Sequence, residues 1–325
     1  MRALVHHTFG DPGQVLAVEE VPLPEPGPGK VRVRTLLAAV HNHDLMTVAG
    51  QYGYRPELPA RAGTEAVGVI DALGEGVTHL QVGQRVATGA AFGTWAEYFT
   101  ASAAAVIPVP DSLTDEAAAQ IYSMPFSALT LLDSLGLAEG DWMVQNTANG
   151  AVGRYVAQLA KARGIKVLGL VRRAAGVEEL ASQGITDVVS TDADDWRKQV
   201  KAITGGAPIK AGVDSVGGPA SGQVLSLIAE DGLLVIFGAM ASNTVELNVG
   251  DVLFKQITVK GFWGNKVAGA MTDEQKVAAF TELITRIEEG TLTLTVDSVH
   301  PLDEMAAAAE ASARPGRLGK VLLRP

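Results

Sequence analysis

A short turn of small residues, ANGAVG from Ala148 to Gly153, constrains the fold of this chain more than any other feature. The apolar run DWMVQNT leads directly into the turn, and residues 151 to 163 follow with apolar side chains at helical spacing. The pattern A-x-G-x-x-G between a strand and a helix is typical of the first βα turn of a dinucleotide-binding sheet. There Gly150 would let the backbone approach a pyrophosphate, and Gly153 would let the helix pack closely on the strand. A plain tight βα turn without a ligand is the alternative interpretation.

Apolar runs continue to alternate with helical spacing after this turn. The runs with the length and composition of buried strands are DWMVQNT, KVLGLVRR, TDVVST, AGVDSVG, GLLVIFGAM and ITVKGFW. Strands that alternate with helices predict a doubly wound parallel sheet. We therefore assign residues 116–263 to a Rossmann nucleotide-binding domain. The S-x-x-D step from Ser112 to Asp115 predicts the start of a helix just before it.

The chain on either side of this region has a different character. From residue 31 to about residue 110, short runs such as AVGVIDALG and QRVATGA are separated by glycine pairs, which is typical of a mainly β region. After Trp263 come a helical segment, the strand-like TLTLTVDSV, a second helix and a final strand, KVLLRP. We expect this tail to return to the first domain. The prediction is an α/β chain with a mainly β domain formed by residues 1–115 and 264–325.

Charge and cysteine content exclude several classes of function. The formal net charge is −10 and the isoelectric point is about 5.1, which argues against nucleic-acid partners and against binding to an anionic membrane. The chain has no cysteine, which removes thiol nucleophiles and zinc sites with thiolate ligands. The first residues lack the apolar core of a signal peptide, and no run reaches the roughly 18 apolar residues of a membrane span. We expect a cytoplasmic protein.

The end of the second Rossmann strand indicates which dinucleotide binds. An acidic residue about 20 positions beyond the glycine turn would hydrogen-bond the ribose of NAD. This chain has Arg172 and Arg173 there, in LVRRAAG. Guanidinium groups bind a 2′-phosphate through charge-assisted hydrogen bonds, so the sequence favours NADPH. Solvated arginines at a strand end are the alternative.

Several stretches together resemble the zinc-independent branch of the medium-chain dehydrogenase/reductase superfamily, and most closely its 2-enoyl-thioester reductases and quinone oxidoreductases. The stretches, which span nearly the whole chain, are GQYGYRPELPARAGTEAVG (Gly50 to Gly68), GTWAEY (Gly93 to Tyr98), VQNTANGAVG (Val144 to Gly153), DSVGG (Asp214 to Gly218), FGAM (Phe237 to Met240) and KGFW (Lys260 to Trp263). The resemblance implies a GroES-like catalytic domain beside the Rossmann domain, and a homodimer joined near Ile257 to Trp263. Zinc members have cysteine and histidine ligands where this chain has His41 and Thr64, so no metal is expected.

The resemblance also implies which residues contact the cofactor. It assigns Asn149, Gly150, Ala151 and Val152 to the pyrophosphate, Arg172 and Arg173 to the 2′-phosphate, Phe237, Gly238, Ala239 and Met240 to the nicotinamide side, Phe262, Trp263 and Gly264 to its outer wall, and Lys320 to a further contact.

For the chemistry, the resemblance implies that Tyr52, in GQYG, is the proton donor. A phenol stays protonated at neutral pH and can protonate the enolate that forms when hydride adds to a conjugated C=C bond. Tyr54 is the rival, because alternate residues of an extended segment lie on the same face. A loop tyrosine packed at a domain interface is the alternative for Tyr52.

His41, His43 and Asp44 form the step HNHD, where those reductases have a step like N-P-S-D. The His-x-His spacing places two imidazoles on one face of a strand, which suggests a metal site. Glu65 could add a carboxylate, but no further histidine falls near a known ligand position. An ordinary buried His–Asp arrangement, or a second-sphere or proton-relay role, is therefore preferred to a metal.

We predict an NADPH-dependent, zinc-independent oxidoreductase that reduces the C=C bond of an α,β-unsaturated carbonyl, with an enoyl thioester as the leading substrate. An NADPH:quinone oxidoreductase is the closest alternative. A non-catalytic nucleotide-binding protein that kept the fold is the alternative of another class. The expected ligands besides the cofactor are small molecules: an enone, an enoyl thioester or a quinone.

Overall fold

The computed structural model describes all 325 residues, which divide into two compact units. The first unit comprises Met1–Ser123 and Leu294–Pro325, and the second comprises Met124–Thr293. No helix combines the length and the apolar character that crossing a membrane requires.

The elements of the chain are as follows. The first segment contains β1 (Arg2–His6), α1 (Pro12–Val15), β2 (Ala17–Glu20), β3 (Lys30–Ala39), α2 (Asn42–Val48), β4 (Ala60–Arg61), β5 (Ala66–Leu73), β6 (Arg85–Thr88), β7 (Tyr98–Ser102), β8 (Ile107–Pro108) and α3 (Asp115–Ala118). The second unit contains α4 (Met124–Asp133), β9 (Trp142–Gln145), α5 (Ala151–Ala162), β10 (Lys166–Val171), α6 (Ala174–Ala181), β11 (Val188–Ser190), α7 (Trp196–Thr204), β12 (Ile209–Asp214), α8 (Pro219–Leu227), β13 (Ile228–Ile236), α9 (Val249–Phe254), β14 (Thr258–Gly261), α10 (Gly264–Ala270) and α11 (Asp273–Glu288). The last segment contains β15 (Val296–Pro301), α12 (Met305–Ala313) and β16 (Lys320–Arg324).

The first unit is built on a seven-stranded sheet with the order β15-β16-β3-β5-β6-β8, in which β7 also pairs with β3. A smaller sheet has the order β2-β1-β4. Trp95 is fully buried in the core, and its indole Nε1 donates to the carbonyl of Ala39 at 3.0 Å. The antiparallel pairing of Leu322 with Ala39 brings Lys320, at the start of β16, beside His41, which follows β3. The mainly β, GroES-like domain predicted from the sequence is confirmed.

The second unit contains a six-stranded parallel sheet with the order β11-β10-β9-β12-β13-β14. Val144, Leu168 and Leu234, one from each of three strands, are fully buried in its core. Connections leave β9 toward β10 on one side and later reach β12 on the other, so the strand order reverses between β9 and β12. Ligands of doubly wound sheets bind at the carboxyl ends of the strands at such a point. The predicted Rossmann sheet is confirmed.

The boundary between the two parts lies elsewhere than expected. We assigned residues 264–325 to the β domain, whereas the return to that unit occurs at Leu294. Both α10 and α11 pack on α4 of the second unit. The rings of Phe126 and Phe280 stack there with centroids 5.0 Å apart. A helical pattern in the sequence does not show which surface covers the apolar face of the helix. Chain order alone therefore placed α10 and α11 in the β domain.

Two local details differ from expectation. The helix expected at the Ser112–Asp115 step is present and begins at Asp115, but its N-cap is Thr114, whose side chain accepts from the backbone N–H of Ala117, and not Ser112. The last sheet strand, β14, is exposed along its whole length instead of buried. The predicted run ITVKGFW has apolar residues at both ends, but β14 itself is TVKG and lies at the edge of the sheet with β13 as its single neighbour.

Candidate functional site

The carboxyl ends of β9 and β12 are tied together by a buried polar network. The carboxylate of Asp214 is fully buried and accepts from Asn146 Nδ2 at 2.5 Å, from Ser221 Oγ at 2.6 Å and from the backbone N–H of Val216 at 3.0 Å. The side-chain oxygen of Asn146 in turn accepts from the N–H of Ser215 at 2.7 Å. A fully satisfied buried network holds one geometry, so the two strand ends at the point of reversal are fixed relative to each other. From the sequence, DSVGG was recognised only as part of the family resemblance, and no role was predicted for Asp214.

The glycine turn is packed as a dinucleotide-binding turn requires. A Cβ added to Gly153 would lie 2.7 Å from the carbonyl oxygen of Thr147 and 2.9 Å from that of Ala148, so only glycine fits. The carbonyl of Gly153 accepts from Gln145 Nε2 at 2.7 Å, which joins α5 to β9. Gly150 is the N-cap residue of α5, and no side chain caps the helix. The first turn of α5 therefore keeps backbone N–H groups and a positive dipole end for an anion.

A cleft of about 570 Å³ lies at these strand ends. Its walls include Thr147, Asn149, Arg172, Arg173, Val216 and Met240. The side chains of Arg172 and Arg173 are exposed and form no ion pair within the protein, and Asp192 is the only carboxylate that lines the cleft. A concave cleft, an uncapped helix start and two unpaired guanidinium groups fit a phosphorylated dinucleotide.

The residues expected to contact the cofactor are distributed as follows. Asn149, Arg172, Arg173 and Met240 line the one cleft, and Gly150, Ala151 and Val152 begin the helix beside it. The rings of Phe237 and Phe262 lie 5.8 Å apart, just beyond the carboxyl ends of β13 and β14. Gly238 and Ala239 follow β13, the indole of Trp263 is 67% exposed, and Gly264 begins α10. Lys320 lies in the first unit.

The two candidate phenols of the first unit have different surroundings. The ring of Tyr52 lies 5.9 Å from that of His43, whereas the ring of Tyr54 lies 5.0 Å from that of Phe92. Residues 51–57 form no strand, so the condition under which the two phenols would share a face is not met. Both side chains are partly exposed, Tyr52 at 44% and Tyr54 at 47%. Only Tyr52 adjoins the histidine cluster.

His41 is the centre of a buried ionic chain. Its Nε2 lies 2.5 Å from Glu65 Oε2, and its Nδ1 lies 3.1 Å from Lys320 Nζ. The other carboxylate oxygen of Glu65 accepts from the backbone N–H groups of Tyr122 and Ser123 at 2.7 and 3.0 Å. A lysine ammonium can only donate, so His41 Nδ1 accepts and the ring proton is on Nε2, which donates to Glu65. The sequence noted Glu65 as a possible carboxylate but did not place Lys320 with it.

Burial determines the charge states in this chain. Complete burial of His41, together with the charge of Lys320, holds the imidazole pKa well below its usual value, so the ring is neutral. Burial also raises the pKa of the Glu65 carboxyl, while hydrogen bonds from Ser123 and the Lys320 charge act against that rise. The neutral His41 ring thus links the Lys320 ammonium to the Glu65 carboxyl inside the protein.

His43 belongs to a second hydrogen-bonded chain. The Thr64 hydroxyl donates to Asp44 Oδ1 at 2.7 Å, so its oxygen accepts from His43 Nε2 at 2.9 Å. The His43 ring also stacks on His41, with centroids 4.9 Å apart. No group of three or more acidic or histidine side chains has the arrangement of a metal site.

A GroES-like β unit combined with a Rossmann unit that carries this turn defines a class of two-domain dehydrogenases and reductases. Residues 27–111 match the family model of the alcohol dehydrogenase GroES-like domain, and residues 151–285 match that of zinc-binding dehydrogenases. The mitochondrial enoyl-[acyl-carrier-protein] reductase of Homo sapiens is 32% identical over 330 residues, covering 99% of this chain and 88% of that protein. The protein of the same name from Dictyostelium discoideum is 30% identical, covering 97% and 92%.

Solved structures show the same relationship. A mycobacterial quinone oxidoreductase superposes with a TM-score of 0.90 at 28% identity, covering 100% of both chains. Escherichia coli quinone oxidoreductase, solved in complex with NADPH, gives 0.88 at 26% identity, again covering 100% of both chains. The chain therefore belongs to the medium-chain dehydrogenase/reductase superfamily, in its zinc-independent branch.

Proposed function

We propose that this chain is an NADPH-dependent reductase of α,β-unsaturated carbonyl compounds, with an enoyl thioester as its substrate. The observation that carries the proposal is the partly exposed Tyr52 phenol beside the His43–Thr64–Asp44 chain. Two relatives of at least 30% identity are named enoyl-[acyl-carrier-protein] reductases, which agrees with this chemistry.

NADPH fits the cleft of the second unit. The uncapped start of α5 would hold the pyrophosphate, and Arg172 and Arg173 would hold the 2′-phosphate. When bound, NADPH supplies the hydride for reduction. Phe237 and Phe262 would flank the nicotinamide, and the contact of Lys320 with the cofactor stays a prediction. Escherichia coli quinone oxidoreductase, which superposes on this chain with a TM-score of 0.88, was solved in complex with NADPH, and this supports the choice of dinucleotide.

Tyr52 would supply the proton. Addition of hydride to the β carbon moves an electron pair to the carbonyl oxygen, and the Tyr52 O–H then protonates the α carbon, leaving a phenolate. His43 lies next to this phenol, and its Nε2 donates to the Thr64 hydroxyl, which in turn donates to the Asp44 carboxylate. We propose that His43 returns a solvent proton to the phenolate. A His43→Gln variant is expected to shift the pH profile of kcat, and an unchanged profile would remove His43 from this role.

The Tyr52→Phe variant tests the enone chemistry. Loss of a general acid costs about 10² to 10⁴ in rate, so enone reduction should fall by that factor in steady-state assays. Tyr54→Phe is the matched control and should retain the reduction of an enone that bears no carboxylate. A Tyr52→Phe protein that reduces enones at the original rate would refute the proposal.

The quinone alternative is favoured by one observation. Structures that superpose on the whole chain with TM-scores of 0.88 and 0.90 are named quinone oxidoreductases. A quinone accepts electrons directly and needs no proton donor at carbon, so Tyr52→Phe should leave quinone reduction intact. Quinone turnover in the absence of any enone turnover by the unmodified protein would establish this alternative.

We also propose a homodimer that forms along β14. This edge strand is exposed on all four residues, and α9, which precedes it, exposes Val249, Leu253 and Phe254 at 75%, 54% and 81%. An exposed edge strand with apolar neighbours is a ready site for pairing with a second copy. The cytoplasmic location and the absence of nucleic-acid and membrane partners stay predictions of the sequence.

A further inference from the structure

Arg61 is an unpaired cation in the first unit. Its side chain is partly buried, and burial alone lowers the pKa of its guanidinium, since no neighbouring acid acts against the effect. By contrast, Arg32 pairs with Asp71 at 2.6 Å, and Arg85 pairs with Asp115 at 2.6 Å. A desolvated charge without a partner destabilises a fold. An uncompensated guanidinium therefore suggests a binding role that outweighs its cost to stability.

Arg61 lines a small cavity of about 230 Å³. A Cβ added to Gly93 would lie 3.1 Å from Arg61 Nε and 3.4 Å from Cζ, so the missing side chain makes room for the arginine. The rings of Tyr54 and Phe92, with centroids 5.0 Å apart, also line the cavity. The site combines a planar cation with two aromatic rings.

Most other polar groups of this cavity already have partners. The Asp44 carboxylate accepts from the Thr64 hydroxyl at 2.7 Å and from the backbone N–H of His41 at 3.2 Å. Thr47 donates its hydroxyl proton to the carbonyl of His43 at 2.7 Å. Glu57 lines the cavity at its exposed side and makes no ion pair with Arg61. The unused donors are thus the Arg61 guanidinium and the Tyr54 hydroxyl, which suit an oxyanion.

We propose that this cavity binds the carboxylate of a small unsaturated acid. Arg61 holds the carboxylate with its planar fork, Tyr54 donates a further hydrogen bond, and the two rings cover the flat carbon chain. Thr64 lines the cavity and also accepts from His43, the neighbour of Tyr52. A carboxylate bound at Arg61 therefore lies on the side of the molecule that carries the proposed proton donor. Besides an enoyl thioester, the site would accept an enone that also bears a carboxylate. The enone end of that substrate rests on the proposed function, and its carboxylate end rests on Arg61 alone.

Calorimetric titration without cofactor tests the anion site directly. The probes are trans-cinnamate and its neutral isostere cinnamamide. The unmodified protein is expected to bind cinnamate at least tenfold more tightly, and Arg61→Met should abolish this preference. Arg34→Met, which removes an exposed arginine of β3, should leave the preference intact. A preference that survives Arg61→Met would overturn the proposal, as would tighter binding of inorganic phosphate than of cinnamate in competition.

Folding of the variants can be followed independently. Since Arg61 has no partner to lose, Arg61→Met should unfold at an equal or higher urea midpoint, whereas a structural arginine would lower it. Arg61→Lys keeps the charge without the planar fork and should bind cinnamate with intermediate affinity. A lower midpoint for Arg61→Met together with unchanged binding by Arg61→Lys would assign Arg61 to the fold and refute the site.

Steady-state kinetics separate this inference from the proposed function. The substrates are 4-oxo-2-pentenoate and its methyl ester, which share one enone and differ in charge. Arg61→Met should lower kcat/KM for the acid at least tenfold and leave the ester unchanged; an equal loss for both would refute the inference. If the unmodified protein reduces neither compound but binds cinnamate through Arg61, the reductase function fails and the anion site stands.

Discussion

Arg172 and Arg173 are the residues that we expect to determine the preference for NADPH over NADH. Both guanidinium groups line the cleft and form no ion pair within the protein, so they are available for a 2′-phosphate. Hydrogen bonds to charged groups contribute about 1.5–3 kcal/mol each, so the double substitution to alanine should weaken NADPH binding by about a hundredfold or more. NADH affinity should stay unchanged. Fluorescence titration with both nucleotides measures this.

The matched control removes two positive charges from outside the cleft. Lys198 and Lys201 are exposed on α7, and their double alanine variant has the same net charge as the arginine variant. It should bind NADPH normally. Equal losses in the two double variants would mean that general electrostatics, and not specific recognition, favours NADPH.

The buried His41 makes stability depend on pH in a defined direction. Its pKa in the folded state lies below the usual 6.5 of the unfolded state, so the unfolded chain binds the extra proton as pH falls below 6.5. Folding free energy is then lost at up to about 1.4 kcal/mol per pH unit. The raised pKa of Glu65 acts in the opposite sense, since its folded carboxyl binds a proton at higher pH than the unfolded one.

Comparison with a His41→Gln variant isolates the histidine, because Glu65 is present in both proteins. Between pH 6.5 and pH 5 the unmodified protein should lose up to about 2 kcal/mol more than the variant. Urea unfolding at a series of pH values measures the difference. Parallel curves for the two proteins would show that His41 is not held neutral by the fold.

Residue roles were predictable from the sequence only where a motif carried them. The arginines follow the glycine turn at a fixed distance, and Tyr52 lies within a recognisable stretch, so both could be named in advance. The contact of Lys320 with His41 joins residues 279 positions apart through the pairing of β16 with β3, and no periodicity signals it. Arg61 lies within the stretch from Gly50 to Gly68, but nothing in that stretch assigned it a role, and its lack of a partner is visible only once the surrounding side chains are placed.

Among the elements, the junction of β9 and α5 depends most strongly on one residue. The Cβ of a Gly153→Ala variant would meet backbone carbonyl oxygens at 2.7 and 2.9 Å, which cannot rotate away. Overpacking of this kind costs about 1–3 kcal/mol. Because the start of α5 would move from the turn, NADPH affinity should also fall by about tenfold, the equivalent of roughly one hydrogen bond. Urea unfolding and nucleotide titration measure the two effects.

Gly269 on α10 provides the control for this substitution. A Cβ there meets no atom within 4 Å, and the position is helical. Gly269→Ala should therefore be neutral or stabilise the protein by up to about 1 kcal/mol. A Gly153→Ala protein as stable as this control would show that the turn has room to relax.

The parallel sheet was predictable at the scale of elements because each of its strands is a compact apolar run between helical segments. The exceptions lie where burial depends on partners that sequence does not encode locally. The run ITVKGFW predicted a buried strand, yet the strand that forms, β14, lies at the edge with both faces exposed. The helix α11 was assigned to the wrong unit because its amphipathic pattern is equally compatible with any apolar surface.

At the scale of the whole molecule, the exposed apolar residues of α9 and β14 predict self-association. In a two-fold interface each substitution occurs twice. Burial of a phenylalanine contributes about 1.5–3 kcal/mol, so Phe254→Glu should weaken the dimer by about 3–6 kcal/mol, a factor of roughly 10² to 10⁴. Analytical ultracentrifugation over a range of protein concentrations measures this.

The control for the dimer prediction is Val277→Glu, since Val277 is 65% exposed on α11 and is remote in sequence from the edge strand. It should leave the dimer intact, whereas Val259→Lys, on β14 itself, should weaken it as Phe254→Glu does. Charged side chains on an edge strand oppose pairing with a second edge, which gives the physical reason for the Val259 result. A dimer that dissociates on Val277→Glu and not on Phe254→Glu would place the interface elsewhere. A protein that is monomeric before any substitution would exclude the homodimer.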